Sequence, residues 1–254
     1  MLPPARRRRP VPERISVIVP VYNERATIAA VVHRLLTIDL PAPREIIIVN
    51  DGSRDGTREV LDGLAADDPS LRVIHVDVNR GKGHAVRLGF AQAAGTIVAI
   101  QDADLELDPV QLAGLVQPIL DGQTDVVYGS RFLAPSSTPG PWLTRAANHF
   151  LTWLTNWLYH ARITDMETCY KVMRTDVARS LPLRADRFDI EPEITARLLL
   201  AGHRVLERPV SFSPRSRAAG KKIGWRDGLV AIRVLGQIRM ERTPVTAPRR
   251  DSRA

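Results

Sequence analysis

The chain has 254 residues, of which 44% are hydrophobic and 25% charged, a composition that supports a packed globular protein with its own core. Its net charge of +8 lies mostly at the two ends: residues 1–14 hold five Arg and one Glu, and residues 241–254 hold four Arg and two acids. The single cysteine, Cys169, rules out an internal disulfide, and no run of about 18 uncharged apolar residues reads as a membrane span.

Residues 1–14 and 243–254, rich in Pro, Arg and Ala, are expected to be disordered tails around one domain over 15–242. Arg6 to Arg9 are followed by no apolar stretch, so no secretory signal is expected, and a reducing cytoplasm is the simplest setting. Residues 15–21 (ISVIVPV) form the first β-rich run, followed by helical spacing over 26–36. Residues 45–49 (EIIIV) are continuously apolar, as buried parallel strands are, and a helix follows over 55–66 with Ser53, Asp55 and Thr57 as caps. A strand over 71–76, a helix over 82–94, a strand over 96–100, a proline-led helix over 109–120 and a strand over 125–128 complete an alternating series. Such alternation predicts an α/β fold: a mostly parallel central sheet with helices on both faces and ligands at the carboxyl ends of its strands. Beyond residue 130 the rhythm changes. A turn-rich loop spans 135–141, helices are expected over 142–159, 191–201 and 225–240, a strand over 205–212, and a basic loop over 213–222.

The candidate chemistry lies at the predicted strand ends. After the fourth strand come Asp102, Asp104 and Glu106, separated by single residues. On an extended backbone alternating side chains share one side, and carboxylates so placed repel unless a cation sits among them. Oxygen-only ligands suit Mg²⁺ or Mn²⁺, which would also hold the diphosphate of a donor. The first strand runs into Val19-Pro20-Val21-Tyr22-Asn23-Glu24 and the second into Val49-Asn50-Asp51-Gly52-Ser53, where Asp51 can accept hydrogen bonds from a base or ribose. After the third strand, Asn79-Arg80-Gly81-Lys82-Gly83 offers two glycines, a lysine and the N–H groups of a helix start to an anion.

In this order and spacing, VPVYNE, VNDGSRDGT, NRGKGHA and QDADLE resemble the GT-A, Rossmann-like glycosyltransferases of family 2, over residues 15–130. The resemblance implies an inverting, metal-dependent transfer from a nucleotide sugar of the GDP-mannose or UDP-hexose type. It implies donor contacts at Pro20, Tyr22, Glu24, Asp51, Lys82 and Asp102, and metal ligation by Asp102 and Asp104. Residues 131–242 are similar to the dolichol-phosphate mannosyltransferase and polyprenol-phosphate sugar synthase branch, through Gly129-Ser130-Arg131, 164–171 (TDMETCYK), 188–193 (FDIEPE) and the basic run 215–222. In that branch a glutamine often follows the two metal aspartates. Glu106 stands there instead and is expected to ligate, making the site more anionic. Asp104, Arg131 and Asp165 are the catalytic residues this likeness points to.

The acceptor in that branch is a lipid phosphate, and elementary chemistry agrees. A phosphate monoester is already nucleophilic near neutral pH, so the site needs cations to bring two like-charged phosphates together rather than a strong base. Arg131, Arg145, Arg215, Arg217, Lys221 and Lys222 are the candidates, the last four within a stretch (213–240) holding seven Lys or Arg and one acid. Residues 142–159 carry three of the four tryptophans, which suit either a membrane-interface helix or packing on the core. The expected partners are therefore a nucleotide sugar, a polyprenyl phosphate and the inner face of the cell membrane, contacted peripherally. A soluble or polysaccharide acceptor is the alternative. A nucleic-acid partner is not expected, because the basic excess sits in tails and one loop and no nucleic-acid motif is present. Cys169 reads as a small buried hydrophobe, and none of the six His has metal-ligand spacing.

Overall fold

Continuous apolar runs give the strands that form the floor of the site. The computed structural model describes residues 12–134, 142–214 and 225–241. Its strands are β1 (Ile15–Val21), β2 (Arg44–Asp51), β3 (Leu71–Val76), β4 (Ile97–Ile100), β5 (Val126–Ser130), β6 (Lys171–Arg174) and β7 (Val205–Pro209). Its helices are α1 (Ile28–Thr37), α2 (Thr57–Asp67), α3 (Lys82–Gln92), α4 (Leu112–Leu120), α5 (Trp142–Tyr159), α6 (Thr175–Ser180), α7 (Ile190–Leu200) and α8 (Trp225–Met240). A 3-10 turn, Pro109–Gln111, leads into α4, with the Asp108 side chain accepting from the N–H of Val110.

The seven strands form one sheet in the order β3-β2-β1-β4-β6-β5-β7. Only β6 runs against its neighbours, pairing antiparallel with both β4 and β5. Strand order reverses between β1 and β4, so the crevice between their carboxyl ends is the place where such a sheet receives a ligand. Pro20 lies past the end of β4, which stops at Ile100 opposite Ile18, so its missing N–H falls where β1 has a neighbour on the β2 side alone.

The helices pack by their apolar stripes. In α1, Ile28, Val31, Val32 and Leu35 are the buried residues, spaced to form one face. The main core takes in β1, β2 and β4 together with α1, α3 and α4. A second, smaller core joins α5, α7 and α8 through Leu151, Ala196, Ala231, Leu235 and Ile238, with Ile163 and Met166 from the chain before β6.

The structure differs from the sequence reading in three places. Residues 171–180, which carried no expectation, hold β6 and α6. The strand expected over 205–212 stops at Pro209. The domain also begins before residue 15: Glu13 forms an ion pair with Arg174 at 2.7 Å, and the carbonyl of Arg14 accepts from the N–H groups of Thr96 and Ile97. The remainder of the expected tails and the 135–141 loop lie outside the described residues.

Candidate active site

Four loops meet at the carboxyl ends of β1 to β4. Asp51, at the end of β2, is buried, and both of its side-chain oxygens accept from the backbone N–H of Arg80 at 3.1 Å, with Oδ2 also accepting from Gly81 at 2.6 Å. Asp51 thus fixes the loop that delivers Lys82. The same loop is clamped from the other side. The N–H groups of Gly83 and His84 donate to the carbonyls of Arg187 and Asp186 at 3.1 and 3.0 Å. These are helix-start donors that the sequence reading offered to an anion, and the 185–187 segment takes them. That close approach is what the glycines serve: a Cβ on Gly81, at φ +112°, would stand 2.4 Å from the Asp186 carbonyl oxygen, and one on Gly83 would stand 2.3 Å from that of Ala185.

Lys82, the first residue of α3, reaches across to β4. Its Nζ lies 2.8 Å from Asp102 Oδ1 and 3.1 Å from Oδ2, and 2.8 Å from Glu191 Oε1 at the start of α7. Glu191 is held in turn by Lys171, a fully buried lysine at the start of β6 whose Nζ donates to Glu191 Oε2 and to the carbonyls of Met166 (3.1 Å) and Thr168. Lys171 also stands 5.0 Å from the centre of the Tyr128 ring. Two lysines and two carboxylates thus alternate through the site and balance in charge. Burial alone would favour the neutral form of Lys82, but Asp102 first and then its other anionic neighbours outweigh it and hold the ammonium well above its usual range. Glu191 shows the converse: burial opposes ionisation, and Lys171 and Lys82 together still bring its carboxyl below the usual range. Cys169 lies beside Asp102, where burial and that carboxylate push its thiol well up, so it remains a protonated packing group.

The acidic triplet does not take the arrangement expected of it. Asp102, Asp104 and Glu106 sit in a turn rather than on an extended strand: Leu105 has φ +62°, and the N–H of Glu106 folds back to donate to Asp104 Oδ1 at 3.1 Å. Among the described residues, no group of three His, Cys, Asp or Glu side chains is placed to hold a metal ion. The donor chemistry, all oxygen, suits Mg²⁺ or Mn²⁺, whereas the arrangement has Lys82 at the first aspartate.

The remaining expected donor contacts lie at the mouth of β1. Pro20 and Tyr22 are half-buried. Glu24 is buried, accepts from the Thr27 hydroxyl at 3.0 Å, and its backbone carbonyl receives the N–H groups of Thr27 and Ile28 where α1 begins, which gives it a structural task.

In residues 131–242, Arg131 follows β5 and is paired with the fully buried Asp165 by three bonds: Nε at 2.8 Å, Nη2 at 2.7 Å and the backbone N–H at 3.0 Å. Burial disfavours the charged guanidinium, but Asp165 more than offsets this and keeps it ionised. Asp165 therefore lies beneath Arg131 as its holder. The turn bearing Asp165 is itself fixed by Glu207 of β7, which accepts from the N–H of Thr164 at 2.8 and 2.9 Å and from that of Asp165 at 3.1 Å. Arg131 Cζ stands 5.3 Å from the centre of the Phe212 ring, Phe212 bridges to Leu107, and the N–H of Ser213 donates to the carbonyl of Glu106 at 2.9 Å. The acid turn and Arg131 are thus linked through Phe212 and Ser213. Arg145 is exposed on α5. Arg215, Arg217, Lys221 and Lys222 lie outside the described residues.

The sequence reading quoted Lys171, Glu191 and Glu207 or their segments without giving them a role. The available signal was charge inside otherwise apolar stretches: a lysine opening Lys171–Arg174, and Glu191 in a helix of which nearly every residue is buried.

The tryptophan-rich helix settles in one respect. Trp142, Phe150, Trp153 and Trp157 are exposed, and α5 turns only Leu151, Thr152 and Thr155 fully inward. Leu229, Val230 and Met240 on α8 are exposed as well. These aromatics do not pack on the domain core. No described helix is long and apolar enough to cross a membrane.

A largely parallel sheet with a single reversed strand, nucleotide motifs at the carboxyl ends of its first four strands, and a buried cation in a second half beside them define a GT-A glycosyltransferase fold. The chain belongs to glycosyl transferase family 2, whose model matches residues 16–181. It is 28% identical over 232 residues to the undecaprenyl-phosphate mannosyltransferase of Micrococcus luteus, covering 87% of this chain and 92% of that protein. It is 30% identical over 207 residues to the glycosyltransferase AglD of Haloferax volcanii, covering 79% of this chain and spanning 33% of that longer protein. Its fold matches that of glucosyl-3-phosphoglycerate synthase from Mycobacterium tuberculosis, crystallised with Mn²⁺, UDP and phosphoglyceric acid, with a TM-score of 0.67, 20% identity and coverage of 90% of this chain and 79% of that one.

Proposed function

We propose that this glycosyltransferase moves a hexose from a nucleoside-diphosphate sugar to a polyprenyl phosphate, with inversion at the anomeric carbon. The observation that carries the reading is Arg131: its guanidinium is pinned through Nε and Nη2 by a buried carboxylate, leaving Nη1 outside that pairing, and it stands over Phe212, which bridges to Leu107 after the acid turn. A pre-oriented cation there offsets the repulsion between an incoming phosphate monoester and the donor diphosphate, which is the main electrostatic obstacle to this reaction. The near full-length similarity to an undecaprenyl-phosphate mannosyltransferase supports a lipid phosphate as acceptor.

The exposed aromatic face of α5 supports contact with the membrane that would hold such an acceptor. Tryptophan favours the bilayer interface, and an amphipathic helix can lie in it with its apolar face down. Arg145, on the same helix, and the basic residues after Ser213 would then face anionic headgroups and the acceptor phosphate. In this reading the protein works peripherally at the inner face of the cell membrane.

A divalent cation, Mg²⁺ or Mn²⁺, supplies charge for the departing nucleotide when bound, and Asp102, Asp104 and Glu106 are the residues nearest such a task. The Mn²⁺ and UDP in the related crystal structure support it. Asp51 orders the loop bearing Lys82, Lys82 faces the diphosphate, and Asp165 holds Arg131.

The test is incubation with polyprenyl phosphate and a panel of GDP- and UDP-sugars, with mass-spectrometric detection of the lipid-linked product. A product carrying one hexose on the lipid phosphate is expected. Transfer to a soluble phosphate or a glycan, with none to the lipid, would overturn the acceptor assignment.

A further inference from the structure

The ion pairing of Lys82 has a consequence for the order in which ligands arrive. Both oxygens of Asp102 face one ammonium, at 2.8 and 3.1 Å. A cation seeking that carboxylate meets a positive charge already there, and like charges so close together in a partly buried setting repel. The backbone of Lys82 cannot retreat, because Asp51 holds Gly81 on one side and the Asp186 and Arg187 carbonyls hold His84 and Gly83 on the other. Its flexible four-carbon side chain can. A second resting place is within reach: Glu191 Oε1, 2.8 Å from the same Nζ, on a carboxylate anchored from behind by the buried Lys171. At 2.8 Å that contact is as short as the one to Asp102 Oδ1, so the ammonium already bridges the two carboxylates.

We propose that Lys82 is the resident counter-ion of Asp102 in the donor-free protein, that it yields this place when a divalent cation and a nucleoside diphosphate bind, and that Glu191 is the positioning residue that draws it aside. This rests on the reading above that the site takes a divalent cation. Metal and nucleotide then bind synergistically. The metal alone must compete with Lys82, whereas the diphosphate gives the released ammonium an anion and removes the competitor.

The experiment measures Mn²⁺ affinity by electron paramagnetic resonance, for the full chain, alone and with saturating GDP or UDP. For the wild type, weak binding alone and binding tighter by about 5- to 150-fold with one of the nucleotides is expected, the usual span of a coupling between sites. Lys82→Gln should bind Mn²⁺ more tightly than the wild type without nucleotide, with the nucleotide-induced gain reduced. Glu191→Gln should bind Mn²⁺ more weakly than the wild type without nucleotide, and the double variant should recover the tightness of Lys82→Gln. The loss of a charge near the site would by itself give opposite signs for the two single substitutions, so the double variant decides: additive charge effects would place it between the two single variants, and that result would overturn the proposal. Equal or weaker Mn²⁺ binding by a folded Lys82→Gln, or a Glu191→Gln no weaker than the wild type, would overturn the proposal while leaving the metal reading intact. Should no variant bind Mn²⁺ even with nucleotide, the metal reading falls and this proposal with it.

Discussion

Asp165 is the place where the acceptor-half geometry can be tested most directly. It is fully buried, and its three bonds go to one residue, Arg131, whose side chain is 17% exposed. Asp165→Asn keeps the volume but replaces an anion by an amide, one end of which presents N–H groups to a guanidinium that has only donors. The guanidinium cannot shed its charge, so the variant carries a largely buried cation that has lost its hydrogen-bonded counter-ion. Removing one partner of a buried pair costs about 3–5 kcal/mol. At about 2–4 °C per kcal/mol for a domain of this size, the melting temperature should fall by roughly 6–20 °C. Arg131→Met added to Asp165→Asn removes the stranded charge, and the double variant should regain several degrees over the single one. Transfer to polyprenyl phosphate should be lost in both, since stability returns without the cation. The assay is thermal unfolding of the four proteins of this cycle, with transfer rates beside it. A double variant that melts no higher than Asp165→Asn, or an Asp165→Asn that melts with the wild type, would refute the claim that Asp165 exists to hold a buried charge.

Three further outcomes are expected. Replacing Trp153 and Trp157, which are 59% and 65% exposed, by Ser should leave the melting temperature nearly unchanged but reduce sedimentation with anionic vesicles by about tenfold or more; a loss of stability instead would mean these rings are packed. Burial, only partly offset by Lys171, raises the Glu167 carboxyl to about 7, so the folded protein holds this proton more tightly than the unfolded chain. Its contribution should therefore be neutral below about pH 4.5, turn destabilising as pH rises towards 7 and stay constant above, and Glu167→Gln should exceed the wild type in stability at pH 8 by roughly 1–3 kcal/mol; a gain that does not depend on pH would contradict it. Gly83→Ala, whose Cβ would stand 2.3 Å from the Ala185 carbonyl oxygen, should destabilise by about 3 kcal/mol or more, whereas Gly63→Ala on the open face of α2 should stabilise by roughly 0.5–1 kcal/mol, both read by denaturant titration.

Legibility in the sequence followed physical type. Ile15–Val21 and Leu71–Val76 were read to the residue, because both are short runs rich in β-branched residues bounded by turn residues. Trp142–Tyr159 and Trp225–Met240 were read as well, since one-sided helices keep a clear 3.6-residue period. Lys171–Arg174 was missed because it is four residues long and opens on a lysine, and sequence alone does not show that this lysine is neutralised by Glu191 from another helix. The acidic triplet was located but its shape was not, because the positive φ at Leu105 belongs to a residue that seldom adopts it and carries no local signature. For α5, composition left interface and core open, and the exposure of its tryptophans came only with the structure.

The two halves of the site differ in how their charges are kept. On the donor side, Lys82 has two carboxylates at 2.8 Å, and the exchange proposed above passes its charge from one to the other when ligands bind. On the acceptor side, Arg131 has one buried partner gripping it at three atoms, and Glu207 fixes the turn that carries that partner, so the charge is immobile. A donor that brings its own anion, and with it a metal, needs a site that can exchange counter-ions. An acceptor phosphate that must be held in line with an anomeric carbon needs a cation that does not move, because orientation set in advance lowers the barrier where orientation acquired on binding would not. Chain order reflects this division: Lys82 opens α3 after a loop held from both sides, so that only its side chain is proposed to move, and Arg131 directly follows a fully buried strand whose register is locked by β6 and β7.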